Sequence, residues 1–178
     1  MNKVLVVVDM QNDFIDGALG TKEAQEIVPN AVKKIKEWDG TIIFTLDSHS
    51  KDYLGTNEGK YLPVEHCIDG TNGHKINSQV WDAAISSVSQ YSRINTLRKH
   101  TFGSTALPEL LRGEEFECIE LIGLCTDICV ISNALLLKAA YPEANIKVDA
   151  KCCAGVTPAK HKAALEVMKS CQIEVYND

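Results

Sequence analysis

Cys129, Lys99 and Asp9 are residues whose types could together perform covalent catalysis. Cys129 follows Thr126, which could cap the N-terminus of an apolar helix, and a helix N-terminus favours the thiolate form of a cysteine. Lys99 would favour the thiolate further, and Asp9 could take the thiol proton or hold the lysine. The alternative is that Cys129 is a buried helix cysteine without a chemical role, as free cysteines often are.

Asp47 and His49 form a second candidate group, with the spacing of a metal-binding pair. Residues two apart on an extended segment point to the same side, so the carboxylate and the imidazole would lie together. Glu58 and His66 follow in a polar stretch, and two imidazoles with two carboxylates suit Zn, Mn or Fe. The alternative is a solvated loop with a hydrogen-bonding histidine, because an Asp-x-His pair alone is a weak signal.

Strands and helices in alternation are the elements that would position these residues. Short apolar runs rich in β-branched residues predict strands at 3–9, 41–47, 92–97, 117–123, 146–149 and 173–176. Apolar residues at helical spacing predict helices near 28–38, 76–84, 107–111, 126–140 and 157–170. Thr157 would cap the last helix, with Pro158 at its first position. Residues 48–75 form a long polar segment without clear periodicity, and such loops are usually functional.

This alternation predicts an α/β fold, a doubly wound six-stranded parallel sheet with helices on both faces, in a single domain over residues 1–178. Ligands in such folds bind outside the carboxyl ends of the strands. The residues at or just after the ends of the first four strands are Asp9, Asp47, His49, Lys99, Cys125 and Cys129. We therefore expect them to meet at one edge of the sheet.

Composition excludes several classes of protein. With 178 residues, 45% of them hydrophobic and 24% charged, the chain is an ordinary globular protein and not a disordered one. A net charge of -6 without a basic cluster argues against nucleic acid and anionic membranes as partners. Only the apolar run Val4–Val8 follows the start, which is too short for a signal peptide or a membrane span. We therefore expect a cytoplasmic protein whose seven cysteines are reduced.

Five segments of the chain are similar to motifs of the isochorismatase-like cysteine hydrolases, and within them the nicotinamidases. These segments are VVVDMQNDF (6–14), TLDSH (45–49), LPVEHCIDGTNG (62–73), RKHTFGS (98–104) and GLCTDICV (123–130). The resemblance implies a catalytic triad of Asp9, Lys99 and Cys129. Cys129 would attack an amide carbonyl, Asp9 would accept the proton and pass it to the leaving ammonia, and Lys99 would stabilise the thiolate.

The resemblance also implies an oxyanion hole made by the backbone N–H groups of Cys125 and Cys129. Such preorganised donors are each worth about 3–4 kcal/mol of the activation barrier. The family carries a cis peptide bond at this position, so we expect one at Leu124–Cys125.

A divalent metal is a further implication, with Zn favoured and Mn or Fe possible. Nicotinamidases of the family hold it through an Asp-x-His pair, a residue from the following loop and a last histidine. Asp47, His49 and His66 match the first, second and last positions, and Glu58 is the candidate for the third. The alternatives for that third position are Asn57 and Glu65. The metal would take the pyridine nitrogen of nicotinamide.

The substrate pocket departs from the family pattern, since Leu62 stands where many nicotinamidases place a ring-stacking Trp. The residues predicted to line the pocket instead are Phe14, Leu124, Tyr61 and Phe102. The departure leaves the reaction type alone but loosens the assignment of nicotinamide as the substrate.

Three functional hypotheses follow. The first is a metal-assisted nicotinamidase that releases nicotinate and ammonia. The second is the same thioester chemistry on another small amide, such as a carbamoyl or ureido compound. The third, of another class, is a non-catalytic module that senses a metal or a thiol. In each case the expected partner is a small molecule, and the apolar helix over 129–140 suggests a homo-oligomer.

Overall fold

The computed structural model describes residues 2–87 and 93–178, and these residues form a six-stranded, all-parallel sheet. Its spatial order is β3-β2-β1-β4-β5-β6, so the connections reverse direction between β1 and β4. The strands are β1 (Asn2–Val8), β2 (Thr41–Asp47), β3 (Ile94–Lys99), β4 (Phe116–Leu124), β5 (Ile146–Ala154) and β6 (Glu174–Tyr176). The predicted doubly wound α/β fold is confirmed, and its switch point lies between β1 and β4.

Helices connect the strands. Those formed by the described residues are α1 (Asn12–Ile15), α2 (Lys22–Glu26), α3 (Val28–Glu37), α4 (Asn57–Tyr61), α5 (Ser78–Ser87), α6 (Ala106–Leu110), α7 (Ile131–Ala140) and α8 (Pro158–Ser170). A 3₁₀ turn at Tyr53–Gly55 precedes α4, and a π turn at Thr126–Val130 leads into α7. Within the described ranges, no helix combines the length and the apolar character that crossing a membrane requires.

The sheet separates two hydrophobic cores, and β1 supplies side chains to both. Leu5 and Val7 pack against the helices α3 and α5 on one face. Val4 and Val6 pack into the opposite core, which includes residues of α7 and α8. All four side chains are fully buried, as expected for a central parallel strand that is covered on both faces.

Several element boundaries differ from the prediction. β3 runs over Ile94–Lys99 rather than 92–97, because its last residues pair with the end of β2 although they are basic. The predicted start at Ser92 lies outside the described residues. β5 continues to Ala154, so Cys152 and Cys153 are buried strand residues rather than loop residues. The segment 48–75 holds the 3₁₀ turn and α4, which are too short to give a periodic pattern.

Lys34 of α3 is the centre of a polar network that ties this helix to the sheet. Its Nζ lies 3.0 Å from Glu120 Oε1 and 2.9 Å from Asp149 Oδ2, on β4 and β5. It also donates to the Tyr176 hydroxyl at 2.6 Å, which itself donates to Glu120. Both carboxylates are buried, so each depends on the ammonium of Lys34 for compensation.

Replacing Lys34 by Met should lower the free energy of unfolding at pH 7 by about 3 kcal/mol, because it leaves two buried carboxylates unpaired. Burial raises the pKa of Asp149, but hydrogen bonds from Asn177 and Lys34 outweigh it and hold the pKa below its usual value. That stabilisation exists above the unfolded pKa of about 3.9 and is lost as the pH falls through the lower folded value. The difference in the free energy of unfolding between Lys34→Met and the wild type should therefore become smaller at acidic pH.

Urea titrations at pH 7 and at pH values below 4 would measure this difference. Lys33→Met is the matched control, since Lys33 is exposed on the same helix. Equal stability of the Lys34 and Lys33 variants at pH 7 would contradict the assigned role.

Candidate active site

The predicted triad residues lie together at the carboxyl edge of the sheet. Lys99 Nζ is 2.6 Å from Asp9 Oδ2 and 3.5 Å from Cys129 Sγ. Asp9 follows β1, Lys99 ends β3, and Cys129 lies in the π turn after β4. All three side chains are buried, which strengthens each electrostatic interaction among them.

Asp9 is held in place by its neighbour on β2. Thr45 Oγ1 donates to Asp9 Oδ1 at 2.7 Å, and the backbone N–H of Asp9 donates to the Thr45 carbonyl at 3.2 Å. The φ of Asp9 is 47°, in the left-handed region that few non-glycine residues adopt. These contacts fix both the backbone and the carboxylate, and the sequence analysis did not single out Thr45.

Gly123 permits the close approach of β4 to β1 beneath the triad. Its φ is 117°, and a Cβ atom there would lie 2.1 Å from the Val8 carbonyl oxygen. Both the backbone conformation and the lack of space therefore require glycine. The two residues that follow, Leu124 and Cys125, are joined by the expected cis peptide bond.

Burial raises the pKa of Cys129, and the neighbouring Asp9 carboxylate raises it further, against the opposing effect of Lys99. The helix start and Lys99 were expected to favour the thiolate, and in the structure full burial and the nearby carboxylates act against that effect. Burial also raises the pKa of Asp9, although Lys99 lowers it. A carboxylate with a raised pKa is a better proton acceptor, which suits Asp9 to deprotonate the thiol during the reaction.

The helix start around Cys129 also differs from the prediction. Cys125, not Thr126, precedes the first turn, and the Cys125 carbonyl accepts from the N–H groups of Ile128 and Val130. The Thr126 hydroxyl instead pairs with His161 Nδ1 at 2.8 Å. The extra residue in this π turn changes the side-chain spacing there, a detail that apolar periodicity does not reveal.

A second cluster contains the four predicted metal ligands. Among the described residues, Asp47, His49, Glu58 and His66 place one donor atom each within 4.8 Å of one another. Asp47 Oδ2 is 3.0 Å from His49 Nε2 and 3.5 Å from His66 Nε2. Glu58 Oε1 is 3.7 Å and 3.9 Å from the same two nitrogens. Donors bound at about 2.1 Å in a tetrahedral shell are about 3.4 Å apart, so this set fits a divalent ion.

Hydrogen bonds outside the cluster orient two of its members. His66 Nδ1 lies 2.8 Å from the Val64 carbonyl, which directs Nε2 into the cluster. The Gln11 side chain accepts from the Asp47 N–H and donates to the Asp47 and His74 carbonyls, at 2.8–2.9 Å. Gln11 is two residues from Asp9 in the sequence, but its side chain fixes the strand end that carries Asp47.

The two carboxylates of the cluster have pKa values that are shifted in opposite directions. Burial raises the pKa of Asp47, but hydrogen bonds from His49 and His66 outweigh it and hold the pKa well below its usual range. Burial raises the pKa of Glu58, and the Asp47 carboxylate raises it further. Lys99 Nζ, 3.5 Å from Asp47 Oδ1, connects this cluster to the triad.

Both groups open into one cavity of about 280 Å³. Asp47, Glu58, His66, Cys125 and Cys129 line it, so three of the four metal donors and the thiol face the same space, while His49 lines a neighbouring groove. The predicted pocket residues Phe14, Leu124 and Phe102 also contribute to its walls.

Tyr61 does not line this cavity, contrary to the prediction. It is 86% exposed at the end of α4 and contributes to a neighbouring groove, while Leu62 borders both spaces. The two residues are adjacent in sequence, but only Leu62 reaches the cavity wall.

The Isochorismatase domain family matches residues 3–177 of this chain. The chain belongs to that family. A nicotinamidase of Acinetobacter baylyi (strain ATCC 33305 / BD413 / ADP1) is 25% identical over 175 residues, which cover 84% of this chain and 80% of the relative.

Solved structures of relatives are similar in fold. The crystal structure of the nicotinamidase/pyrazinamidase PncA from Bacillus subtilis aligns with a TM-score of 0.83 at 28% identity, covering 98% of this chain and 99% of that one. The pyrazinamidase of Pyrococcus horikoshii in complex with zinc aligns with a TM-score of 0.75 at 25% identity, covering 100% of both chains. Together with the donor cluster, the zinc complex supports a divalent metal site here.

Removal of a metal ligand should weaken Zn²⁺ binding. We expect His66→Ala and Glu58→Gln each to lower the Zn²⁺ affinity at least about tenfold, because each removes one donor from the cluster. Competition with a chromophoric chelator would measure the affinity. Glu65→Gln is the control, since Glu65 is an exposed acid beside His66. A Zn²⁺ affinity equal to that of the wild type in both ligand variants would refute this metal site.

Proposed function

We propose that this protein is a metal-assisted cysteine amidohydrolase whose substrate is nicotinamide, converted to nicotinate and ammonia. The observation that carries the proposal is that the Cys129 thiol and the donors Asp47, Glu58 and His66 line one cavity. A nucleophile and a cation site facing a common space suit a small amide with a second polar group. The names of the relatives, nicotinamidase and pyrazinamidase, agree with such a substrate.

The first step is attack of the Cys129 sulfur on the amide carbonyl carbon. Asp9 accepts the thiol proton and so activates the sulfur as the nucleophile. Lys99, 3.5 Å from Sγ, stabilises the developing thiolate and keeps Asp9 oriented. The negative charge that appears on the carbonyl oxygen is stabilised by the backbone N–H groups of Cys125 and Cys129.

Collapse of the tetrahedral intermediate breaks the C–N bond. Asp9 returns the proton to the leaving nitrogen, which departs as ammonia and leaves a thioester on Cys129. A water molecule then attacks the thioester, with Asp9 again accepting a proton. The carboxylic acid is released and the Cys129 thiol is regenerated with its proton.

Asp47, His49, Glu58 and His66 would hold the metal. When bound, it supplies a Lewis acid for a ring nitrogen of the substrate and so helps to orient the amide. The apolar walls, among them Phe14 and Leu124, exclude water and contact the faces of a flat ring. Action as a homo-oligomer in the cytoplasm is part of the proposal and rests on the sequence alone.

Purified protein supplied with Zn²⁺, Mn²⁺ or Fe²⁺ should release ammonia and nicotinate from nicotinamide. Cys129→Ala should lower kcat/KM at least about 10³-fold, because no other group replaces the nucleophile. Ammonia release would be followed by a coupled assay, and the thioester would be sought by mass spectrometry of the quenched enzyme.

Cys171→Ser is the matched control, since Cys171 is exposed after α8 and does not line the cavity. If the protein hydrolyses other small amides but not nicotinamide, the assignment of nicotinamide as substrate is wrong and the thioester mechanism still stands. Undiminished turnover in Cys129→Ala would contradict the thioester mechanism. If no amide releases ammonia, the hypothesis of a non-catalytic sensing module is favoured instead.

Thr45→Val tests the support of the general base. Its hydroxyl lowers the pKa of Asp9 and fixes one carboxylate oxygen. Its loss should reduce kcat about tenfold and move the acidic limb of the kcat/KM profile to higher pH, because a raised Asp9 pKa leaves less carboxylate at a given pH. Thr41→Val, at the other end of β2, is the control. An unchanged acidic limb would show that Thr45 only packs beside Asp9.

A further inference from the structure

Lys160 lines the same cavity as Cys129 and the metal donors, although none of the motifs includes it. It lies in the first turn of α8, close to the loop residues Gly155 and Val156 that form the adjoining wall. Thr21, which precedes α2, belongs to the same cavity lining.

Lys160 is an exposed residue, and its ammonium forms no ion pair with any acidic side chain among the described residues. Within residues 2–87 and 93–178, no carboxylate oxygen lies within 4 Å of its Nζ. Lys34 and Lys99, in contrast, are each paired with two carboxylates. A cation left unpaired beside an apolar cavity is available to a ligand.

Thr21 adds a second donor. Its oxygen accepts from the Ala24 N–H at 3.0 Å, as the cap of α2, and its own O–H proton is not needed for that bond. The hydroxyl of Thr21 and the ammonium of Lys160 therefore offer donors but no competing negative charge. Oxygen acceptors, above all carboxylates, are the groups such donors bind.

The acidic side chains of the cavity belong to the metal cluster, where Asp47 and Glu58 line the wall. A substrate with a negative charge remote from its amide is thus favoured with that charge at Lys160. This polarity would set which end of the substrate reaches Cys129.

We propose that Lys160, assisted by Thr21, is a specificity-determining residue that binds an anionic group of the substrate. Among small amides, those with a carboxylate at the end away from the amide are then preferred over their neutral counterparts. This inference rests on the proposed amidohydrolase function and narrows its substrate class. The competing interpretation is that only the aliphatic stem of Lys160 lines the wall while its ammonium stays in water.

Matched pairs of amides test the proposal. One pair is 5-carbamoylpyridine-3-carboxylate and 5-(hydroxymethyl)nicotinamide, and the other is succinamate and 4-hydroxybutyramide. The measured quantity is the ratio of kcat/KM for the carboxylate over its neutral partner, read from ammonia release.

Lys160→Met should lower this ratio about fivefold, mainly through KM, because one solvent-accessible ion pair is lost. Lys160→Arg should keep the ratio close to that of the wild type. Lys162→Met, which changes an exposed lysine of the same helix that does not line the cavity, should leave the ratio unchanged. Higher ionic strength should reduce the wild-type ratio but have little effect on that of Lys160→Met.

Calorimetric binding of the same compounds to Cys129→Ala, with and without Lys160→Met, separates this inference from the proposed function. Weaker binding of the carboxylates alone in the double variant supports the role of Lys160 even if no amide is hydrolysed. Nicotinamide turnover with a ratio insensitive to Lys160→Met overturns the inference and leaves the proposed function intact. Carboxylate binding that does not depend on Lys160 assigns the anion to the metal cluster instead and equally overturns it.

Discussion

The buried ammonium of Lys99 connects the two halves of the candidate site. Its Nζ contacts Asp9 at 2.6 Å and both Asp47 and Cys129 at 3.5 Å. Two buried carboxylates on neighbouring strands repel each other, and each would be costly without a cation. Because burial alone would lower the pKa of Lys99, its charge depends on these same neighbours, which raise the pKa overall. The triad and the metal cluster are therefore electrostatically one unit.

The topology of the sheet brings this unit together. Parallel strands end at the same edge, and the switch point between β1 and β4 leaves a crevice there. Asp9 and Cys129 come from the two strands that border the crevice, while Lys99 reaches it from β3, the outermost strand. The metal donors come from the end of β2 and the segment after it. The candidate residues therefore lie at or just after the ends of four strands, and the spacing of the strands in the sheet sets the distances between them.

The fold and the residues that the structure brings together in the two candidate clusters could be predicted, because buried strands and family motifs are local in sequence. The roles of Thr45 and Gln11 could not be predicted, because they depend on hydrogen bonds to Asp9 and Asp47 at the ends of neighbouring strands. The direction of the pKa shift of Cys129 also depends on spatial neighbours, because burial and Asp9 oppose the helix-start effect. The prediction that Tyr61 lines the pocket was wrong for a related reason. Tyr61 and Leu62 are adjacent in the sequence, but adjacency does not decide which side chain reaches a cavity.

Gly123 places a limit on how this chain can change. A methyl group at this position would meet the Val8 carbonyl at 2.1 Å and would have to tolerate a φ of 117°. Relief of that clash requires β1 and β4 to separate where they carry Asp9 and Cys125. We therefore expect that no substitution of Gly123 is tolerated while the geometry of the candidate site is kept. A descendant sequence with any other residue at 123 would mark a lineage in which the catalytic geometry had been abandoned.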